Sequence, residues 1–68
     1  MHTFTAIVHK EEGLYMAQCP EVGTASQGGT IEEAVANLQE ATELYLEEFP
    51  LQQTSRPIMT TFEVAAHA

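Results

Sequence analysis

Hydrophobic and polar positions change period along this chain, from two strand-like runs, through a helical stripe, to a final strict alternation. Thr3 to His9 (Thr-Phe-Thr-Ala-Ile-Val-His) is rich in β-branched and aromatic residues, and Leu14 to Cys19 follows after Lys10-Glu11-Glu12-Gly13. This pattern predicts a hairpin whose loop is closed by Gly13, since glycine takes positive φ without steric penalty. Pro20 has no amide to give a ladder, so the second strand is expected to stop there. Glu21-Val22-Gly23 then turns the chain into a short third strand near Thr24 to Gln27, and Gly28-Gly29 leads into a helix.

The helix start is specified locally. Thr30-Ile31-Glu32-Glu33 is a capping box, in which the threonine hydroxyl takes the Glu33 amide and the Glu33 carboxylate reaches back to the Thr30 amide. At 100° per residue, Ile31, Ala34, Val35, Leu38, Ala41, Thr42, Tyr45, Leu46 and Phe49 fall within roughly 140° of the circumference, the width of a core-facing stripe. Glu32, Glu33, Glu40, Glu43 and Glu47 point the other way. Pro50 disfavours helical geometry at Phe49 and sets the stop, so the helix is expected to run to about Glu48. Leu51 to Arg56 is a polar connection. Pro57 opens a last strand in which Ile58, Thr60, Phe62 and Val64 alternate with Met59, Thr61 and Glu63. Residues Ala65 to Ala68 are expected to fray.

The order β-β-β-α-β has a geometric consequence. Strands joined by tight turns are antiparallel, whereas a helical crossover returns the chain in the same direction. The expected fold is α+β, a four-stranded mixed sheet with one helix on one face. Ile7, Leu14, Met16 and Met59 are placed on the uncovered face, which makes it a candidate interface.

Composition narrows the function classes. The 68 residues form one domain, of a size that buries only about 60% of the surface its unfolded chain exposes. Cys19 is the only cysteine, so no intrachain disulfide adds stability, and His2, His9 and His67 are too scattered for a structural zinc. Association is the remaining remedy for a marginal core, and at least a dimer is expected. Ten glutamates stand against Lys10 and Arg56, a net charge of -8. Two cations cannot neutralise enough phosphates to bind nucleic acid directly, and the same sign argues against anionic membranes. No stretch is apolar enough to span a bilayer, and Met1-His2-Thr3 lacks the pattern of a signal peptide. The cytoplasm is the expected compartment, and a free thiol suits it.

Read together, Tyr15-Met16-Ala17-Gln18-Cys19-Pro20-Glu21, Ala25-Ser26-Gln27-Gly28, Thr30-Ile31-Glu32-Glu33-Ala34-Val35-Ala36-Asn37-Leu38 and Glu43-Leu44-Tyr45-Leu46-Glu47-Glu48 resemble the HicB family of antitoxins. Pro57 to Val64 looks like the last strand of its short members. The resemblance covers nearly the whole chain. It implies a truncated ribonuclease-H-like fold, and a role in neutralising HicA, a small basic toxin that cleaves mRNA, by covering the toxin's active site. Longer relatives carry a C-terminal ribbon-helix-helix or helix-turn-helix that binds their own promoter. Nothing after Val64 has the length for one, so no DNA-binding domain and no autorepression are expected of residues 1–68.

The fold label also invites a nuclease. Ribonuclease H chemistry clamps two metal ions with several carboxylates, the first on the opening strand. This chain has no aspartate, and Thr3 to Val8 carries no acid. Neither catalysis nor a metal or other cofactor is therefore expected. Cys19 with His2 or His9 as base is a conceivable nucleophile, but a cysteine beside Ala17 at a strand end reads more simply as a small buried hydrophobe. Gly28-Gly29 before a helix N-terminus suits an anion, yet Glu32 and Glu33 would repel it, which favours a structural turn.

The acidic helix face is the remaining candidate. Solvation alone accounts for many such stripes. Leu44, however, lies outside the apolar stripe beside Glu33, Glu40 and Asn37, and an apolar anchor ringed by acids fits a basic partner. Glu33, Glu40, Glu43, Leu44 and Glu47 are accordingly the candidate partner-binding residues. The sequence supports an antitoxin that occludes a basic HicA-like toxin, with a solitary homo-oligomeric interaction module as the alternative.

Overall fold

A computed structural model describes residues 2–50 and 58–65 of the chain. Three strands, β1 (Ile7–Glu11), β2 (Leu14–Cys19) and β3 (Thr24–Gly28), precede one helix, α1 (Ile31–Glu48). The strands form an antiparallel sheet in the order β1-β2-β3. The α+β class and the β-β-β-α order agree with the sequence pattern. Glu11 pairs with Leu14, which leaves a loop of only Glu12 and Gly13. Both take positive φ (50° and 83°), as a type I′ hairpin turn requires.

The opening strand is displaced from its expected span of Thr3 to His9. Its C-terminal end moves out to Glu11 because a two-residue turn suffices. Its N-terminal end moves in because of Pro20. Ile7 pairs with Gln18, so the same register would set Thr5 opposite Pro20, which has no amide to offer. The Glu21 carboxylate takes over. Thr5 donates its amide to both Glu21 oxygens at 3.1 Å and its hydroxyl to Oε2 at 2.6 Å, while the Cys19 thiol donates to Oε1 at 3.4 Å. One side chain thus ties the lead-in to β1 to the end of β2. The turn that follows is closed by the Gly23 amide on the Cys19 carbonyl at 2.8 Å, with Gly23 at φ 92°.

Helix α1 begins and ends where local chemistry places it. The Glu33 amide donates to Thr30 Oγ1 at 3.0 Å, but the Glu33 carboxylate accepts from the Gly29 amide, one residue earlier than a capping box prescribes. At the other end Phe49 leaves helical geometry (φ -125°, ψ 87°) ahead of Pro50. The helix packs chiefly over β3, less over β2 and scarcely over β1. Gly28 permits that placement, since a Cβ there would lie 2.6 Å from the Ala34 amide nitrogen and 2.9 Å from Glu33. Two side-chain bonds hold the same flank. Thr24 and Thr42 hydroxyls meet at 2.7 Å, and Asn37 Nδ2 donates to the Gln27 carbonyl at 2.8 Å on the outer edge of β3.

The resulting core is small. Ala17, Cys19, Ala34 and Leu38 are buried, with Phe4, Val8, Tyr15 and Val22 packed partly against them. Of the helical stripe, Ala34, Leu38 and Thr42 are buried, whereas Ile31, Tyr45 and Phe49 remain exposed. Length explains the last two. Eighteen helical residues span about 27 Å and five strand residues about 17 Å, so the helix overhangs the sheet and Tyr45 stacks on Phe49 beyond it, centroids 4.8 Å apart.

The fourth strand is the main departure. Residues 58–65 form no strand, and every one of them is exposed. No ladder joins this segment to either edge of the sheet, so among the described residues the sheet is three-stranded and purely antiparallel rather than mixed. Met59 consequently does not join the uncovered face. That face presents Ile7, Leu14 and Met16 interspersed with His9, Glu11, Gln18, Ala25 and Gln27 by register, and is more polar than expected. The connection Leu51 to Arg56, Pro57, and the fraying assigned to Ala66–Ala68 fall outside the described residues, whereas Ala65 is exposed and in no element.

Two outcomes follow from these contacts. Gly28→Ala, which drives a methyl into backbone, is expected to cost about 1–3 kcal/mol in urea melts, more than the ~1 kcal/mol expected of the N-cap variant Thr30→Ala; equal losses would show that the helix does not rest on Gly28. The Thr5 hydroxyl, together with the Thr5 amide, holds Glu21 below its ordinary pKa of 4.5. A carboxylate with a depressed folded pKa stabilises above its unfolded value and loses that contribution as pH falls through the folded one. The advantage of wild type over Glu21→Gln is therefore expected at pH 7 and should shrink progressively on acidification below 4.5; a pH-independent difference in thermal melts would contradict the Thr5–Glu21 tie.

Candidate functional site

Two surfaces emerge from this arrangement, one charged and one apolar. The charged surface is the outer side of α1. Glu33, Glu40, Glu43, Leu44 and Glu47 are all exposed, Leu44 at 57%. Glu40, Glu43, Leu44 and Glu47 stand at spacings of three, four and seven residues and share one side of the helix. Glu33 is set apart, because its carboxylate is already engaged by the Gly29 amide. That bond also fills the helix N-terminus with the chain's own anion, which supports the structural reading of Gly28-Gly29.

Nothing in the described residues neutralises this face. Lys10 stands over Tyr15 with its Nζ 5.7 Å from the ring centroid, and the one close charged contact among the described residues is His9 Nε2 to Glu11 Oε2 at 3.3 Å. Like charges three and four residues apart each destabilise a helix by about 0.2–0.5 kcal/mol. Glu47 and Glu48 add to that, since carboxylates beside the negative end of the helix dipole are unfavourable and no basic residue occupies the last turn. The helix carries its acids at some cost to its own stability.

The apolar surface escaped the sequence reading. A cleft of about 350 Å³ runs between α1 and the lead-in to β1, walled by Phe4, Thr5 and Ala6 on one side, by Val35, Leu38, Thr42 and Leu46 on the other, and floored by Cys19. It lies beside the lead-in because α1 packs chiefly over β3. The helical period identifies which residues face the sheet but not which strand they sit over. The one available signal was the run of small residues, Ala17, Gly28 and Ala34, that lets the helix settle on that flank.

Cys19 is the chemically reactive residue nearest the cleft. Burial pushes its thiol above the ordinary 9.0, and the Glu21 carboxylate that accepts its hydrogen bond pushes the same way, against an opposing bond at Val22. A protonated, buried thiol is a poor nucleophile. His2 shares the cleft but packs on Phe4, while His9 projects from the opposite face beside Glu11. Among the described residues no three His, Cys, Asp or Glu side chains group as metal ligands, and no helix is long and apolar enough to cross a membrane.

Known proteins provide the remaining context. The chain is 47% identical over 49 residues to UPF0150 protein ssr1765 of Synechocystis, a match that covers 69% of this chain and 62% of that protein. It is 40% identical over 53 residues to UPF0150 protein ssr1258 of the same organism, covering 76% of this chain and 77% of that one. The chain thus spans less than two thirds of the first relative's length and more than three quarters of the second's. No family model and no solved structure matches it. With two relatives of one designation, the second aligned over most of both chains, the chain belongs to the UPF0150 family.

Proposed function

We propose that the chain is a HicB-type antitoxin domain that binds and occludes a basic, HicA-like mRNA-cleaving toxin, without catalysis, metal or cofactor of its own. UPF0150 corresponds to HicB-like antitoxin-type proteins, and the motifs from Tyr15 through Glu48 support the assignment. The observation that carries it is the outer face of α1, where Glu40, Glu43 and Glu47 surround an exposed Leu44 and meet no lysine or arginine among the described residues. A basic partner would relieve the repulsion within the helix and cover the leucine. Cytoplasmic residence and the absence of direct nucleic-acid binding belong to the same proposal. So does the fuller fold, a truncated ribonuclease-H-like sheet with Ile58 to Val64 as its fourth strand.

The alternative is a solitary homo-oligomeric interaction module. The largely exposed apolar residues Ile58, Phe62 and Val64 favour it. The two readings differ in whether a neighbouring reading frame encodes a small basic protein that this chain captures.

With such a protein in hand, stopped-flow association at low salt separates them further. Opposite charge accelerates encounter by about tenfold or more and makes it salt-dependent. Reversing Glu40, Glu43 and Glu47 to lysine is expected to slow association at least about tenfold and to flatten the salt dependence. An unchanged rate would remove the acidic face from the interface.

A further inference from the structure

We infer that residues 2–6 are a strap that closes one side of the cleft, latched by the Glu21 carboxylate, and that the strap swings open about Ile7 as a unit while the three strands and α1 stay in place. The inference concerns access to the cleft and is independent of any partner.

The moving half has few fastenings. Residues 2–6 belong to no strand, and of them only Phe4 and Thr5 are even half-buried. Phe4, Thr5 and Ala6 nevertheless form one wall of the cleft, and Phe4 packs partly on the core. The ladder ends at Ile7 and Gln18, because Pro20 has no amide for the next rung. Among the described residues, the hydrogen bonds that hold residues 2–6 come from Thr5 alone, and all three end on Glu21. Helix α1 faces the strap across the cleft and scarcely reaches the strand that follows it.

The fixed half is held independently of the strap. Glu21 sits in the turn after β2, which the Gly23 amide closes on the Cys19 carbonyl at 2.8 Å, and β2 is the central strand, paired on both sides. The Cys19 thiol donates to the same carboxylate at 3.4 Å from the end of β2, so one contact that aims the latch does not depend on Thr5. Bonds from an amide and a hydroxyl to an ionised carboxylate are roughly twice as strong as neutral ones. One ionised side chain thus fastens a segment that the ladder cannot reach.

Opening would take Phe4 off the core and turn Cys19 and Leu38, now 1% and 4% exposed, toward solvent. Segments with few buried apolar contacts and solvent-accessible hydrogen bonds open at a lower free energy than the whole chain unfolds. The strap meets that description, whereas the paired strands and the helix over β3 do not.

Native-state hydrogen exchange of the ¹⁵N-labelled full-length chain tests the separate opening. Below the unfolding transition, the Thr5 amide is expected to exchange at a rate nearly independent of urea, while the amides of Ala17 and Leu38 exchange with a steep urea dependence. One common slope would show that the strap opens only when the chain unfolds, and would overturn the inference. Backbone ¹⁵N relaxation tests the latch. In Glu21→Gln, the order parameters of Phe4, Thr5 and Ala6 should fall together from about 0.85 to below about 0.6, while those of β2, β3 and α1 hold. Residues 4–6 that stay rigid in this variant would remove Glu21 as the latch. Loosening of β2 or α1 along with them would remove the strap as a separate unit.

Discussion

The approach of α1 to β3 at Gly28 is the contact on which the rest of the structure depends. With no side chain at that position, the helix backbone at Glu33 and Ala34 comes down directly on the strand. Thr42 and Asn37 then find partners in β3, and the helix is fixed off the centre of the sheet. Everything unusual about the molecule is a consequence of that offset. A cleft is left between α1 and residues 4–6, and Glu40 and Glu47 are held away from it.

A core of three small residues and one leucine leaves little margin in a chain of this size. Proteins of about this length bury a modest fraction of their surface and often rely on staples or association. Here the Glu21 carboxylate acts as one staple, tying Thr5 and Cys19 where Pro20 ends the ladder. The larger reserve of apolar surface lies unused in residues 58–64 and in the cleft. Charge and hydrophobicity are therefore segregated. The exposed glutamates lie on the outer side of the helix, and Glu43 stands where that side meets the cleft.

What the sequence revealed follows the range of the interactions involved. The helix limits depend on Thr30 and Pro50, each acting within one turn, and they fall where local capping and proline sterics put them. The end of β2 at Cys19 likewise follows from the missing amide of Pro20. β1 was misplaced because its start depends on a register with Pro20 fifteen residues away and on a carboxylate that replaces the ladder. The helical stripe was read correctly as a direction, yet Tyr45 and Phe49 proved exposed because no periodicity reports how long the opposing sheet is. The fourth strand has the alternation of a strand, but alternation specifies a face and not a partner. The candidate residues Glu33, Glu40, Glu43, Leu44 and Glu47 were placed outward by the same wheel, and the engagement of Glu33 with Gly29 and the position of Glu43 in the cleft lining needed coordinates.

The expectation that weighs most on this account is that a core this small is stabilised by association with a second copy. Thermal unfolding as a function of protein concentration measures this most directly. If association completes the fold, a hundredfold rise in concentration adds about 2.7 kcal/mol per dimer, and the melting temperature should climb by several degrees between 1 and 100 μM, on the order of 4–8 °C for each kcal/mol in a domain this small. A melting temperature that stays constant across that range would show that a single copy is already complete, and would contradict the account.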